Sequence, residues 1–501
     1  MSIATNESPT APSSNVVDYL QLIGGEFRAA SNGGWIDSVN PTTGQVWARV
    51  PAGNTDDIDL AVAAASAAYE DWRSTPAAQR ASILRAWARS VREHADELWR
   101  LDSTDNGRAR VETSPAILGG AGQIEFHAGL AETITGETVD ISPTASTYSV
   151  REPFGVVGLI IPWNAPLAMF LAKVSAAVAA GNTIVVKPPE RASVSVLAAA
   201  RYLADAGLPP GVVNVVTGEG SAAGEALVIH PEVRKISFTG STATGRRITE
   251  KSTSNLKVLG LELGGKSPHI VFADADLDAA AISVSAGIFT GSAGQACIAG
   301  SRILIERSIF EDFVDRLRII ASRMTLGDPL AESTDMGPIA FDTQFEKVRE
   351  YVKVGSAEGA TLAFGGRSGA ELFDEASPLS GGYFIEPTLF VTDDNTSRIC
   401  QEEIFGPVAV ALAFDTEEEA VALANDSLYG LAAGVWSSDL GRVHRLIRRI
   451  RSGTVWVNTY RRLHWALPFS GQKESGNRPS NGPHALDEWL EHKSVWIEHG
   501  A

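Results

Sequence analysis

One cysteine lies in a segment whose composition suits covalent catalysis. Cys297 belongs to Gly294–Arg302, where small side chains leave space beside the sulfur and allow the backbone to approach a substrate closely. A thiolate there can attack a carbonyl carbon, and the Cys297 N–H can help to hold the resulting oxyanion. The alternative is a buried cysteine that acts as a small hydrophobe, which is the commoner situation for an arbitrary cysteine. Other segments decide between the two, because they carry the groups that a nucleophilic cysteine needs.

Two segments offer an oxyanion donor and a general base. Asn164 follows an apolar run, and its side-chain amide can donate to a developing oxyanion; the alternative is a helix cap. Glu262 ends a second apolar run. A carboxylate among apolar neighbours tends to have a raised pKa, which suits a base, although strand-end carboxylates are frequent. The glycine pair 264–265 predicts that Glu262 can swing between positions.

Two further segments are suited to a dinucleotide. Lys187 and Glu190 end a strand, where a carboxylate accepts from ribose hydroxyls and repels a 2′-phosphate, which favours NAD over NADP. Ser241 lies in the turn Gly240–Gly245 before a helix, whose N-terminus attracts phosphate. The alternatives are an exposed ion pair and an ordinary strand-to-helix connection. Together the four clusters fit the oxidation of an aldehyde through a thioester.

Residues 155–262 contain short apolar runs that alternate with helical stretches. This alternation predicts a parallel α/β sheet whose ligands bind at the carboxyl ends of the strands. The predicted strands are Val156–Ile161, Thr183–Val186, Val212–Val216, Ile236–Phe238 and Lys257–Leu261, and the predicted helices are 167–180, 193–206, 220–229 and 242–253.

A second α/β lobe is predicted over residues 263–440, and helices are predicted before the first. The strands of the second lobe are His269–Phe272, Arg302–Ile305, Val408–Phe414 and Ala433–Trp436, and its helices are 308–323, 341–358, 416–425 and 439–449. Short strands are expected over 19–50, a helix capped at Thr55–Ile58 that runs to about Trp72, and helices over 76–105 and 112–132. Residues 133–150 are rich in Thr and Ser and predict a strand or hairpin able to pair with another chain.

Composition limits the class of protein. The 501 residues carry a formal net charge of −18, which argues against a nucleic-acid or anionic-membrane surface. The two cysteines make no disulfide framework, metal-ligand spacings such as CxxC and HExxH are absent, and Lys173 interrupts the best apolar run. The first basic residue is Arg28, so a charged signal-peptide start is lacking. We therefore expect a cytoplasmic protein without a metal.

The motifs resemble those of the aldehyde dehydrogenase superfamily, in its NAD(P)-dependent, non-acylating form. They occur in this order over most of the chain: PWNAP (162–166), KPPE (187–190), FTGSTATG (238–245), LELGGKSP (261–268), GQACIAGSR (294–302), EEIFGPV (402–408) and PFSGQKESG (468–476).

The resemblance implies a role for each matching residue. Cys297 is the nucleophile, Asn164 and the Cys297 N–H hold the oxyanion, and Glu262 activates the deacylating water. Lys187 and Glu190 bind the adenosine ribose. The remaining cofactor-binding residues that it implies are Ile161, Pro162, Trp163, Gly240, Ser241, which contacts the pyrophosphate, Leu263, and Glu403 and Phe405, which hold the nicotinamide ribose and ring.

The resemblance also implies a domain organisation. A Rossmann-like NAD-binding domain would comprise 19–132 and 151–262, and a catalytic domain 263–465. A small bridging β domain from 133–150 and 480–501 would form a homodimer or homotetramer. Residues 1–18, rich in Ser, Thr, Pro and Ala near the start, are expected to be a disordered tail.

The chain departs from the family pattern near its end. The family's GRE-G stretch is replaced by 476–482 (GNRPSNG), and PFSG replaces PFGG, changes expected to touch no chemical role. Near the substrate entrance of relatives, Arg461 and Arg462 favour a carboxylated aldehyde, whereas Trp465 and Phe469 favour an aromatic or apolar one. Surface charge and packing explain these residues equally well, so the aldehyde stays open.

Three other functions are compatible with parts of the sequence. A CoA-acylating relative would pass the thioester to CoA, but Glu262 at the base position argues against it. A cofactor-free cysteine hydrolase would use Glu262, Lys266 and Cys297, but leaves the KPPE and GSTATG segments unexplained. A non-catalytic protein with the same fold would not need the complete set of chemical residues.

Overall fold

The computed structural model describes residues 16–500 and has an α/β architecture, as predicted. Its strands, in chain order, are β1 (Val17–Asp18), β2 (Gln21–Ile23), β3 (Glu26–Arg28), β4 (Trp35–Asn40), β5 (Gln45–Pro51), β6 (Ala145–Pro153), β7 (Val156–Ile160), β8 (Thr183–Lys187), β9 (Val213–Val215), β10 (Lys235–Thr239), β11 (Val258–Glu262), β12 (Pro268–Val271), β13 (Arg302–Glu306), β14 (Thr361–Phe364), β15 (Thr388–Val391), β16 (Val408–Phe414), β17 (Tyr429–Gly430), β18 (Ala432–Trp436), β19 (Thr454–Val457), β20 (Pro468–Phe469), β21 (Gln472–Lys473), β22 (Ser480–Asn481) and β23 (Leu490–Glu498).

Helices cover both main sheets, and those near the N-terminus also pack against one another. In chain order they are α1 (Thr55–Ser74), α2 (Ala77–Glu93), α3 (Ala95–Asn106), α4 (Arg110–Leu130), α5 (Pro166–Ala179), α6 (Val194–Asp205), α7 (Glu225–Ile229), α8 (Thr242–Lys251), α9 (Leu277–Ser285), α10 (Phe310–Ala321), α11 (Asp342–Ala357), α12 (Arg398–Gln401), α13 (Glu417–Asn425) and α14 (Leu440–Arg449).

The first main sheet has seven strands in the order β11-β10-β7-β8-β9-β2-β3. Strands β7 to β11 are parallel, and β2 and β3 are added antiparallel at one edge. The chain passes from β7 to β8 on one side and later returns to β10 on the other. Ligands of open α/β sheets bind at such a switch point, beyond the carboxyl ends of the strands. The predicted clusters after β7, β8, β10 and β11 therefore share one edge.

The second main sheet also has seven strands, in the order β14-β15-β16-β13-β12-β18-β19. All its neighbours are parallel except β14, which pairs antiparallel with β15. Strand β12 follows the loop after Glu262, and β13 follows the loop that contains Cys297. The two loops enter neighbouring strands of one sheet and lie side by side for this reason.

Most predicted elements form within one or two residues of their expected ends. The parallel strands agree best, because a strand buried on both faces has a continuous apolar run: all five residues of β8 are buried, and its three central residues are aliphatic. The expected helix over 76–105 is instead two helices, α2 and α3, separated at His94, whose φ of −105° and ψ of 16° leave the helical region. The cap of α1 is Asn54, which exchanges hydrogen bonds with Asp57, and not Thr55.

Strands β6 and β23 pair antiparallel over their full length, from Ala145 opposite Glu498 to Pro153 opposite Leu490. The two segments expected to form the bridging domain thus meet, and Tyr148 pairs on its other side with Thr138. Of the expected tail over 1–18, residues 1–15 lie outside the described residues, and β1 pairs parallel with β5.

Two searches of the described residues 16–500 gave a negative result. No helix in this range has the length and apolar character needed to cross a membrane. No group of three or more His, Cys, Asp or Glu side chains in the same range is arranged to hold a metal ion.

Candidate active site

Cys297 lies at the centre of a tight turn. The Ala299 N–H donates to the Ala296 carbonyl at 2.9 Å, so Cys297 and Ile298 are the central residues. A short 3₁₀ segment, Ser292–Gly294, precedes the turn, and β13 follows it. Cys297 is partly accessible and packs beside an apolar cluster that includes Ile298. The sulfur is therefore held by an ordered backbone on a partly open surface.

Asn164 reaches the segment that carries the cysteine. It lies between β7 and α5, and its amide Nδ2 donates to the Gln295 carbonyl at 2.8 Å. An amide nitrogen has two hydrogens, so the second stays available for an oxyanion formed at Cys297. The side chain does not cap α5, whose N-cap residue is Ala165 and whose first residue is Pro166. The helix-cap alternative is thus not what the structure has.

Glu262 is the last residue of β11 and is held by main-chain contacts on both sides. It pairs with Thr239 of β10 and forms an isolated antiparallel bridge with Gly476. Asn477, next in the chain, donates its N–H to the Leu261 carbonyl and accepts from the Leu261 N–H. The segment that departs from the family pattern, 476–482, thus positions the base candidate. The expectation that this departure touches no chemical role overlooked these contacts.

The Glu262 carboxyl is 7% exposed, and neither of its oxygens has a hydrogen-bond partner among the described residues. Burial raises its pKa to about 8; the Lys173 charge opposes this rise and the Glu488 charge adds to it. The group therefore titrates close to neutrality, as a general base should. The alternative of a strand-end carboxylate with satisfied hydrogen bonds does not hold for this side chain.

A buried cluster of charges near Glu262 sets part of this balance. Glu488, in the C-terminal segment, lies 3.5 Å from Lys173 of α5 and 3.6 Å from Lys235 of β10. Burial alone would raise the Glu488 pKa, but the two lysine charges hold it below the usual value. Burial lowers the Lys235 pKa to about 8, although Glu488 opposes this. Three ionisable groups thus share one dry site.

The thiol of Cys297 is not pre-ionised. Burial raises its pKa to about 12, and the negative charges of Glu403 and Glu262 add to this rise. Both carboxylates that act on the sulfur are candidates for the site, which shows that they are its neighbours.

The glycine pair after Glu262 serves close approach. A Cβ on Gly264 would lie 2.6 Å from a carboxylate oxygen of Glu403, and one on Gly265 would lie 2.2 Å from the Cys297 carbonyl oxygen. The Gly265 N–H also donates to Glu403 at 2.8 Å. The loops of Glu262, Cys297 and Glu403 can pack together only because these residues lack side chains.

We expect Gly265→Ala to lower kcat by about 100-fold, because the added carbon would displace the backbone of the nucleophile's turn. The clash is with a main-chain oxygen, so a side-chain rotation cannot relieve it. Steady-state rates measured beside those of Gly119→Ala test this, since a Cβ on Gly119 in α4 meets nothing within 4 Å. Equal rates for the two variants would contradict the packing argument.

Lys187 and Glu190 lie together after β8. The Lys187 ammonium donates to the Glu190 carboxylate at 2.7 Å; the lysine is buried and the glutamate is partly exposed. Burial would raise the Glu190 pKa, but the Lys187 charge and hydrogen bond outweigh it, so the pKa is lowered. Glu190 is therefore a carboxylate at neutral pH, able to accept from two vicinal hydroxyls.

The turn after β10 leads into the N-terminus of α8. Ser241 caps α8 by accepting from the Thr244 N–H at 3.2 Å, and it is exposed. A Cβ on Gly240 would meet the Phe238 ring at 2.5 Å, and one on Gly245 would meet Leu263 at 2.6 Å. The helix thus packs closely on Leu263 with its N-terminus at the carboxyl edge of the sheet. The exposed helix N-terminus is compatible with a bound phosphate, and Ser241 also serves as the N-cap of a strand-to-helix connection.

Glu403 and Phe405 face the same region from before β16. A cleft is lined by Gly265, Ala296, Glu403 and Phe405, among other residues. Phe405 has a φ of +62°, and its ring lies edge-on to Trp163, with centroids 5.1 Å apart. Ile161 and Pro162 lead from β7 to Trp163, and the Ile161 N–H donates to the Lys187 carbonyl at 3.2 Å. Glu403 and Phe405 thus line one cleft with Ala296, the neighbour of Cys297, and Trp163 lies against the Phe405 ring.

Arg461 forms an ion pair within the protein. Arg461 donates to a Glu112 oxygen at 2.9 Å, and the other Glu112 oxygen accepts from the Ser292 N–H at 2.7 Å. Arg462 is exposed, and Trp465 packs against Gly122 of α4. Because Glu112 balances the charge of Arg461, Arg461 by itself does not select a carboxylated aldehyde.

Sequence reasoning missed three residues that support the site: Gln295, Asn477 and Glu488. Each acts through contacts with residues far away in the chain. Only Gln295 carries a sequence signal, because it lies two positions before Cys297. Lys173 interrupts an apolar run, and a lysine in an apolar helix is a pattern that could have indicated a buried partner.

Comparison with known proteins shows the family of the chain. The model of the aldehyde dehydrogenase family matches residues 27–495. An aldehyde dehydrogenase of Alternaria alternata is 41% identical over 482 residues, which cover 96% of this chain and 95% of the relative.

Two solved structures resemble the chain closely. The NAD+ complex of a Bacillus cereus aldehyde dehydrogenase has a TM-score of 0.92 and 41% identity and covers 96% of each chain. Betaine aldehyde dehydrogenase from Staphylococcus aureus, in complex with NAD+, has a TM-score of 0.94 and 35% identity and covers 97% of this chain and 95% of its own. The family predicted from the motifs is confirmed: this chain belongs to the aldehyde dehydrogenase family and is an oxidoreductase of that family.

Proposed function

We propose that the protein oxidises an aldehyde to the carboxylic acid with NAD, through a thioester on Cys297. The observation that carries the proposal is that three groups lie close together: the Cys297 turn, the Asn164 amide and the Glu262 carboxyl, which has no hydrogen-bond partner among the described residues. They lie at the edge of the sheet where Lys187, Glu190 and Ser241 form a cradle for a dinucleotide. These residues fit a dinucleotide: a ribose acceptor, a helix N-terminus for the pyrophosphate and an aromatic-lined cleft.

The reaction begins at the sulfur. Cys297 loses its proton and adds to the aldehyde carbon, which forms a C–S bond and an alkoxide held by the free Asn164 N–H and the Cys297 backbone N–H. NAD, when bound, accepts the hydride from that carbon and leaves a thioester. Because burial raises the thiol pKa to about 12, the positive charge of the cofactor and a nearby base must assist the first proton loss.

Hydrolysis completes the cycle. Glu262 takes a proton from water, the resulting hydroxide attacks the thioester carbonyl, and the C–S bond breaks to give the acid and the thiolate. The buried carboxyl has no competing hydrogen bond among the described residues, so it is free to accept from a water molecule once the side chain swings toward the thioester, as the glycine pair 264–265 predicts. Asn164 serves the oxyanion of this step as well.

A panel of aldehydes assayed with NAD tests the proposal. The expected result is NADH and acid in equal amounts, without CoA. A chain that releases NADH only when CoA is present would be an acylating enzyme. A chain that does not bind NAD in a calorimetric titration would fit the cysteine hydrolase; the structure lends this alternative little support, because the Lys266 ammonium donates to the Glu402 carbonyl at 2.7 Å.

The rate of hydrolysis should rise with pH through about 8, because Glu262 acts as a base only when it has lost its proton and burial raises its pKa to that value. Steady-state kcat at saturating NAD and aldehyde, followed from pH 6 to about 10, measures this. In Glu262→Gln we expect a burst of NADH, a slow steady state and no such limb. If the limb persists in that variant, it belongs to another group.

Glu190→Gln should improve the use of NADP. The substitution keeps the shape of the side chain and removes a negative charge that would face a 2′-phosphate, so we expect KM for NADP to fall about tenfold and KM for NAD to rise. Kinetics with both cofactors test this against Glu70→Gln, an exposed glutamate of α1. An unchanged NADP/NAD ratio would remove Glu190 from the cofactor site.

We also propose that the chain forms a homodimer or homotetramer in the cytoplasm. The support is the β6–β23 pair, which exposes large apolar side chains: Trp496 is 56% and Ile497 46% exposed. The free thiols of Cys297 and Cys400 suit a reducing compartment. Light scattering that gave a monomer at working concentration would contradict the assembly.

A further inference from the structure

The turn that carries the nucleophile is held by a tyrosine from a distant segment. The Tyr460 hydroxyl donates to the Ile298 carbonyl at 2.8 Å, one residue beyond Cys297. Tyr460 is buried and packs with Trp456, edge to face, at a centroid distance of 4.6 Å. Since Ile298 is a central residue of the turn, this bond fixes the turn from outside.

A buried histidine supports the tyrosine ring. The His269 ring lies on the Tyr460 ring with centroids 3.9 Å apart. It is fully buried, neither ring nitrogen has a hydrogen-bond partner among the described residues, and burial lowers its pKa to about 3. The imidazole is thus neutral and acts by its shape.

Three glycines make room for the two rings. A Cβ on Gly300 would lie 2.0 Å from the His269 ring, and Cβ atoms on Gly287 and Gly434 would lie within 3.0 Å of both rings. Gly300 belongs to the cysteine loop itself, so the imidazole contacts that loop directly. A buried polar ring without partners carries a cost that the rest of the fold must support.

We propose that Tyr460 and His269 act as one positioning unit for the nucleophile. The two rings, in contact and tilted by 44° to each other, hold the Tyr460 hydroxyl on the Ile298 carbonyl, and this contact fixes the direction of the Cys297 sulfur and N–H. The inference rests on the proposed function, since it assigns these residues a part in forming the thioester on Cys297.

Tyr460→Phe removes only the hydroxyl and tests the unit directly. We expect the single-turnover rate of NADH formation to fall about 10- to 100-fold, as small misplacements of reacting groups do, while Kd for NAD stays unchanged. Tyr69→Phe is the matched control, because the Tyr69 hydroxyl also donates to a backbone carbonyl, that of Pro153, at 3.0 Å. The two variants should melt at similar temperatures.

The control defines the results that overturn the proposal. A single-turnover rate of Tyr460→Phe that matches that of Tyr69→Phe would show that the hydroxyl does not position the nucleophile. If Tyr460→Phe lost both rate and melting temperature relative to Tyr69→Phe, the slower rate would follow from lower stability. Tyr460 would then have only a structural role.

His269→Ala tests the second half of the unit. Alone it should slow the same step, and combined with Tyr460→Phe it should add little, because residues that act as one unit are not additive. Full additivity, or an unchanged rate in His269→Ala, would separate the histidine from the unit.

Alkylation of Cys297 by iodoacetamide reports on the turn without any aldehyde. We expect it to be faster in Tyr460→Phe than in the wild type and in Tyr69→Phe, because release of the turn exposes more of a thiol that is only partly accessible. This readout stays informative if no aldehyde is oxidised, so failure of the proposed function is distinguishable. Equal alkylation rates in all three proteins would overturn the positioning role.

Discussion

Replacing Cys297 by alanine is expected to abolish NADH formation from every aldehyde, with a loss in kcat of about 10⁴-fold or more, as removal of a covalent nucleophile does elsewhere. The sulfur is the only atom of the site able to form the C–S bond. The cradle of Lys187, Glu190 and Ser241 does not involve the thiol, so calorimetry should give an unchanged Kd for NAD.

Cys400→Ala is the matched control for that experiment. Cys400 is a free, buried thiol in the core of the second sheet. Its loss removes a sulfur atom from packing and costs stability of about 1–2 kcal/mol, but should leave kcat unchanged. Turnover lost in Cys400→Ala and retained in Cys297→Ala would exchange the roles of the two cysteines.

Glu488→Gln is expected to cause the largest loss of stability, about 3–5 kcal/mol, because it leaves two buried ammonium groups without a counter-charge. Glu488 is fully enclosed, and a Cβ on Gly260 would lie 2.5 Å from one of its oxygens, so solvent cannot replace the lost charge. Lys235 would have to become neutral or attract an anion. The measurement is the apparent melting temperature.

Glu491→Gln gives the comparison for that measurement. It lies three positions later in the same segment, on the exposed β23, and opposes Glu152 of β6. A surface change of this kind usually alters stability by less than about 0.5 kcal/mol. If both variants melted together, the buried cluster would not be a source of stability.

The parallel strands and the candidate catalytic residues could be predicted from the sequence because both depend on local patterns. Strand β8 has an apolar centre, and Lys187 at its end and Glu190 just beyond lie at the edge where ligands of such sheets bind. Cys297 stands in a run of small residues. Position relative to a strand end thus predicts a candidate site without knowledge of long-range contacts.

The supporting contacts could not be predicted, because they join segments far apart in the chain. The Tyr460 hydroxyl contacts the Ile298 carbonyl across 162 positions of sequence. Glu488, which lies just before the last strand, β23, pairs with Lys173 of α5. Nothing in the composition around Glu488 distinguishes it from exposed neighbours such as Glu491. Only the folded chain shows that one is buried and the other is not.

Helix propensity did not predict the break near His94, because the residues around it are compatible with one continuous helix and with two separate helices. The stretch around His94 reads as continuous helix, yet the chain breaks there, and the His94 ring nitrogen lies 2.8 Å from the Ser90 carbonyl. Each residue of this stretch suits a helix, so packing decides the break. The pKa of Cys297 is a similar case, since burial and two carboxylates outweigh its helpful neighbours.

The most direct test of the account is to trap the covalent intermediate. Glu262→Gln incubated with NAD and an aldehyde that the wild type oxidises should accumulate a thioester, because water is no longer activated. Mass spectrometry of the digested protein should then find the Cys297 peptide heavier by the mass of the aldehyde less two hydrogens, and the Cys400 peptide unchanged. A burst of NADH without any adduct on Cys297, or an adduct on Cys400, would contradict the account.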